Sequence, residues 1–142
     1  MSNVLIFDIR KSDITVITPC IDGVLLTNLV EQFERARGMN DPAGGYGGLV
    51  MEFFKYGPLD QYFRGQSETP FFANASGRIY VLGCDCGEVG CWPLTCVVHT
   101  EETTITWQAF EQPYRPIRCY SAFGPFVFNR EQYEQALRSL PN

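Results

Sequence analysis

The sequence contains one histidine, His99, and no HExxH, GxSxG or phosphate-loop string. Any Ser-His-Asp or Cys-His arrangement would have to use that one imidazole. His99 falls mid-strand beside Val97 and Val98 and reads as a structural or surface residue, and no catalytic residue is assigned. Carboxylates such as Asp8, Asp22 and Glu52 are too scattered to pair as acid and base. No apolar run approaches the length of a bilayer span, so no membrane association is expected. The opening MSNVLIFDIRKSD lacks a basic n-region, a sustained apolar stretch and a small-residue cleavage site, which makes the cytoplasm the expected compartment. In that compartment six cysteines are reduced thiols or metal ligands rather than disulfides.

Positive charge is also scarce where it would matter for nucleic acids. Between Arg78 and Arg115 there is no Lys or Arg, whereas Asp85, Glu88, Glu101, Glu102 and Glu111 all fall there, within a net charge of −5. A phosphate-binding surface needs the opposite balance, so nucleic-acid binding is excluded as an expectation. The acidic stretch reads either as a solubilising face or as a surface that steers toward a protein partner with a basic surface. Nothing in it indicates an oligomeric state.

What is present is a globular composition: 142 residues, 45% hydrophobic, 19% charged, with eleven Phe and seven Tyr. That length fits one domain, 1–142, able to bury a core without covalent staples. Asn3–Arg10 and Asp13–Pro19 are β-branched and separated by Lys11-Ser12, the pattern of an opening hairpin. Leu26, Leu29, Val30 and Phe33 share helical spacing, with Asp22 as the expected cap and Gly38 as the stop. Asn40–Leu49 reads as a glycine-rich loop, and Pro58 to Gly65 as a short helix pinned by Leu59, Tyr62 and Phe63. Gly77–Cys84, Trp92–Glu101 and Thr103–Gln112 read as strands. Asn129 with Gln132 forms a capping-box variant for a last helix whose buried stripe is Tyr133, Ala136, Leu137 and Leu140. The expected fold is α+β, a mainly antiparallel sheet of about five strands with the two longer helices on one face.

One segment carries candidate chemistry: GCDCGEVGCW, Gly83 to Trp92. Cys84, Cys86 and Cys91 have the spacing C-x-C-x4-C, with Gly87 and Gly90 to let the loop fold round an ion. Zinc takes four ligands in a tetrahedron and favours thiolates in structural sites. On a hairpin Cys84 pairs near Trp92, which leaves Cys96 ~13 Å down the partner strand and His99 farther away on the opposite face, out of reach unless a bulge breaks the hairpin. The fourth ligand is therefore expected to be Cys119 or, alternatively, the Glu88 carboxylate. The competing reading is a glycine-shaped turn that uses reduced cysteines as small apolar side chains. Thioredoxin-like chemistry is disfavoured, because C-x-x-C is absent and a C-x-C pair closes a strained ring. The string is similar to the CxCGxxxC zinc-binding tail that follows the SET domain in some lysine methyltransferases. The rest of such an enzyme is absent, and no function is carried over.

Leu82–Leu94 (LGCDCGEVGCWPL) and Phe123–Leu137 (FGPFVFNREQYEQAL), joined by ITWQAFEQPYRP, together resemble a family of short, uncharacterised bacterial proteins. Those proteins carry the same cysteine-glycine-tryptophan segment and the same Tyr-rich C-terminal helix. The resemblance implies no activity.

Three functions follow from these readings. The first is a small cytosolic interaction protein, not an enzyme, such as an immunity-type inhibitor that neutralises a bacterial toxin by surface occlusion. The alternative is a zinc-stabilised structural or binding module built on Cys84, Cys86 and Cys91. A second alternative is a cysteine-dependent enzyme with Cys86 or Cys91 as nucleophile near Glu88.

Overall fold

Alternating β-branched residues on either side of a polar turn produce the first two elements, β1 (Leu5–Lys11) and β2 (Thr15–Ile21). They pair antiparallel from Leu5 opposite Ile21 to Lys11 opposite Thr15 in a computed structural model that describes residues 2–40, 42–53, 55–66 and 77–141. Leu5 and Phe7 point into the core, while Val4 and Ile6 stand about half exposed on the other face.

Asp22 does not cap the following helix. Asp22 and Gly23 both take positive φ, 54° and 83°, and turn the chain back into β3 (Val24–Leu25), which pairs with Cys20 and Ile21. A two-residue Asp-Gly loop is the preferred connection of that kind, so the local turn chemistry prevails over capping. The Asp22 carboxylate instead accepts from the Val4 N–H at 2.8 Å and from Asn3 Nδ2 at 2.7 Å. Helix α1 (Leu26–Ala36) then starts at Leu25 with no side-chain cap and stops at Gly38, as expected.

The glycine-rich loop holds two short strands, β4 (Tyr46–Gly47) and β5 (Leu49–Val50), on either side of Gly48; Asp41 of that loop lies outside the described residues. β4 pairs with Gly83 and Cys84, and β5 pairs with Val16 and Ile17. One five-residue stretch thus joins the hairpin sheet, β1-β2-β3 with β5 on β2, to a second sheet. Gly48 makes the junction possible, because a Cβ there would meet Thr18 Oγ1 at 2.3 Å.

The second sheet is five-stranded and antiparallel, in the order β4-β6-β7-β8-β9. Its long members are β6 (Arg78–Cys84), β7 (Leu94–Thr100) and β8 (Thr104–Glu111), close to the three strands expected. The edge strand β9 (Phe126–Asn129) is a further strand, beyond the three that the sequence pattern predicts for this half of the chain. The α+β class with antiparallel sheets stands, but the opening hairpin belongs to its own sheet. No helix among the described residues is long and apolar enough to cross a membrane.

Aromatic residues fill the core between the sheets and helices, with Trp107, Tyr62, Tyr120, Tyr133, Phe63 and Phe128 the largest fully buried side chains. Helix α2 (Leu59–Phe63) buries Leu59, Tyr62 and Phe63, and the Tyr62 hydroxyl donates to the Tyr80 carbonyl at 2.8 Å. Helix α3 (Arg130–Leu137) is capped by Asn129, whose side chain accepts from the Gln132 N–H at 3.0 Å. Gln132 also closes the open edge of β1, exchanging two hydrogen bonds with the Leu5 backbone at 3.0 and 2.6 Å. Tyr133 accepts from Trp107 Nε1 at 2.9 Å and donates to the Phe63 carbonyl, which ties α3 to β8 and α2.

One carboxylate in this core is fully buried. Glu34 lies on the Leu26–Val30 stripe of α1 and accepts from the Gly44 N–H at 2.7 Å, Arg118 Nη2 at 2.8 Å and the Tyr120 hydroxyl at 2.6 Å. Tyr120 has a single proton and donates it to Glu34, so Tyr46 must donate to Tyr120 across 2.7 Å. Gln112 Nε2 in turn donates to Tyr46 at 2.6 Å. The result is a directed chain from the end of β8 through β4 to α1.

Removing the acceptor of that chain takes a partner from three donors, of which Arg118 Nη2 keeps a second acceptor, the Pro42 carbonyl at 2.9 Å. Glu34→Ala is expected to lose about 3–5 kcal/mol in chemical denaturation, the range for breaking a buried ion pair from one side. Glu31→Ala, which removes the exposed pair with Arg35 at 3.1 Å one turn earlier, is the control and should change stability by less than about 0.5 kcal/mol.

A second prediction concerns acid. Arg64 holds both oxygens of Glu134 and also Asp60, clasping α2 to α3. The guanidinium hydrogen bonds keep the Glu134 carboxyl below its ordinary value, against the opposing effect of burial. A depressed folded-state pKa supplies stability that is complete above the unfolded-chain value and disappears as pH falls through the folded one. Unfolding free energies measured from neutral to acid pH should therefore fall less steeply for Glu134→Gln than for the wild type. Equal slopes would show that the clasp does not contribute.

Candidate metal centre

The three clustered cysteines occupy a loop whose backbone is held at both ends and in the middle. Cys84 ends β6 beside Tyr46, and its carbonyl accepts from the Gly87 N–H at 2.8 Å, closing a four-residue turn. The Cys84 N–H donates to the Glu88 carbonyl at 2.9 Å, and the Asp85 N–H donates to the Gly45 carbonyl at 2.9 Å. Val89 plugs the loop into the core. Beyond Cys91, Trp92 Nε1 donates to the Gly44 carbonyl at 3.0 Å, and the ring lies 5.9 Å from that of Tyr46.

Two arginines complete this base. The Arg115 guanidinium stacks on Trp92 with its carbon 4.3 Å from the ring centroid and donates to the Cys91 carbonyl at 2.9 Å. Arg118 lies 5.0 Å from the same ring while also serving Glu34. Neither Arg115 nor Glu34 stood out in the sequence. Glu34 could have been found as a carboxylate on an apolar helical stripe at Leu26, Val30 and 34. For Arg115 there is no local signal, because its contact with Cys91 spans 24 residues.

On this base the sulfurs of Cys84, Cys86 and Cys91 all lie within 4.8 Å of one another. Cys86 and Cys91 are exposed and their sulfurs approach to 3.3 Å; Cys84 is half-buried. The Cys84 thiol points to Asp85 Oδ1 at 3.5 Å and the Cys91 thiol to the Glu88 carbonyl at 3.7 Å. The cluster polarises its members in opposite directions. Burial first, then proton sharing with the other two thiols and Asp85, pushes Cys84 up to about 12, although the Cys86 N–H works the other way. Cys86 is lowered, first by the Glu88 N–H that donates to its sulfur and then by its contacts with Cys84 and Cys91.

The other ligands considered do not join the group. Cys119 is exposed elsewhere, 3.1 Å from the Ser121 hydroxyl, which together with the Ser121 N–H lowers its thiol. Glu88 contributes its backbone to the loop, and its carboxylate is outside the sulfur cluster. The β6–β7 register does shift between Tyr80 and Leu82, yet Cys96 is fully buried opposite Ile79, one residue farther from Cys84 than an unbroken register would place it, and stays out of the sulfur cluster. His99 sits exposed on β7 opposite Thr106, with Nε2 3.3 Å from a Glu101 oxygen. Among the described residues three donors are assembled and a fourth is not.

No protein-family model, no curated protein and no solved structure matches the chain. The chemistry of the loop therefore rests on its own residues.

The two glycines expected to shape the loop are not equivalent. Gly87 has φ +100°, and a Cβ there would meet the Phe53 ring at 2.6 Å, whereas a Cβ on Gly90 would have open space. Gly87→Ala should cost about 1–3 kcal/mol, the range for a side chain forced into that backbone region. Gly90→Ala should stay within about 0.5 kcal/mol of wild type in the same denaturation experiment. Equal costs would mean that the turn is not as described.

Proposed function

We propose that the protein is a metal-binding module in which Cys84, Cys86 and Cys91 hold a thiophilic cation, zinc foremost. The observation that carries this reading is the mutual approach of the three sulfurs within 4.8 Å. Zinc–thiolate bonds of about 2.3 Å in a tetrahedron place sulfurs about 3.8 Å apart, so small side-chain adjustments suffice. Backbone N–H groups aimed at Cys84 and Cys86 compensate thiolate charge, and thiolate donors select soft or borderline cations over magnesium and calcium. Bound there, the ion would tie the end of β6 to the Cys91–Trp92 segment that Arg115 and Gly44 already secure.

A second reading, an interaction protein for a partner with a basic surface, is supported by the exposure of the acidic stretch. Asp85, Glu88, Glu101, Glu102 and Glu111 are all exposed, and two of them flank the cysteines. The toxin-inhibitor form of this reading has no further support in the geometry.

Zinc titration of reduced, untagged protein should reach about one equivalent per chain. Cys84→Ser, Cys86→Ser and Cys91→Ser should each lose stoichiometric binding, while Cys96→Ser and Cys119→Ser should keep it. Because the thiols must shed protons to bind, most of all Cys84, affinity should fall as pH is lowered and binding should release protons. Metal analysis showing no bound zinc, or a Cys119→Ser variant that loses it, would defeat the assignment.

A further inference from the structure

Cys86 and Cys91 are closer to each other than a shared ligand role requires. Their sulfurs are 3.3 Å apart, and a disulfide needs about 2.05 Å, so closing the bond takes a movement of about 1 Å. Both are exposed, whereas Cys20 and Cys96 are buried. Cys84 is half-buried with its thiol directed at Asp85, and Cys119 pairs with the Ser121 hydroxyl. The pair also avoids the strained C-x-C ring, since four residues separate its members. Their backbones are already held in place, on one side by the Cys84–Gly87 turn and on the other by Arg115 at the Cys91 carbonyl. Preset geometry, access and an unstrained ring coincide at this one pair.

We propose that Cys86 and Cys91 form a reversible dithiol–disulfide pair that exchanges with small-molecule disulfides of the glutathione class, and that closing it withdraws two sulfurs from the metal. The second clause rests on the metal-binding reading; the first does not. In the exchange, the thiolate of one cysteine attacks a sulfur of glutathione disulfide. A mixed disulfide forms, and one glutathione leaves as a thiolate that takes up a proton. The second cysteine gives up its proton and displaces the remaining glutathione. The protein dithiol is oxidised by two electrons, and glutathione disulfide is reduced to two thiols.

The test uses the full chain, reduced and stripped of metal with a chelator, equilibrated in glutathione buffers of graded oxidised fraction. Thiols are then trapped by alkylation under unfolding conditions. Free thiols should fall from six to four, with no glutathione retained, and excess reduced glutathione should restore them. Glu88 lies between the two cysteines, so cleavage after glutamate should leave their fragments joined until a reductant is added. The link should persist in Cys84→Ser and vanish in Cys91→Ser. A link that needs Cys84, stable glutathione adducts in place of a link, or oxidation of all cysteines alike would overturn the pair. Repeating the exchange on zinc-loaded protein tests the second clause: loss of the bound zinc in step with the link supports it, and zinc retained on the oxidised chain overturns it. A link that forms in a chain unable to bind zinc would keep the pair and reject the metal reading.

Discussion

A buried carboxylate must be given donors, and Glu34 organises the surrounding structure by that requirement. Its partners come from three places distant in sequence: the Gly44 backbone, Arg118 and Tyr120. Each of those partners has a second task. Gly44 accepts from Trp92, Arg118 stacks on the same indole, and Tyr120 receives the hydrogen-bond chain from Tyr46 and Gln112. Trp92 is the residue after Cys91. The position of the cysteine loop is thus coupled, through Gly44 and Arg118, to a charge on the inner face of α1.

The loop on this base combines a rigid backbone with accessible sulfurs. Its turn is closed by amide hydrogen bonds, while two of the three thiols stand at the surface and the third is half-buried. Protons are held unevenly within the group, tightly at Cys84 and less so at Cys86, because burial penalises one thiolate while an amide N–H supports the other. Such a group can yield its protons to a cation that binds all three sulfurs together. It also leaves the two exposed sulfurs in contact with each other, so coordination and oxidation would compete for the same atoms.

Several features were readable along the chain because their causes are local. The opening hairpin, the β6–β8 strands, the Asn129 cap and the Gly38 stop each depend on residues a few positions apart. The exclusion of Cys96 follows from strand rise on a hairpin, and the register shift between Tyr80 and Leu82 moves its partner from Tyr80 to Ile79, away from Cys84. Asp22 shows how two local rules compete, since Asp-Gly can begin a helix or turn a hairpin, and pairing with Cys20–Ile21 selects the turn. β4, β5 and β9 carry too few residues to show a period and exist through partners supplied by other strands.

Spacing and turn chemistry act within ten residues, and they suffice to place three cysteines on one glycine-shaped strand connection. That their sulfurs converge without Cys119 or the Glu88 carboxylate, and that Arg115 and Gly44 hold the loop from outside, comes from long-range packing. That packing includes contacts across 24 and 48 residues. Contacts of that span arise from how the two sheets are joined at Gly48 and how Glu34 is satisfied, neither of which has a signature in the loop itself.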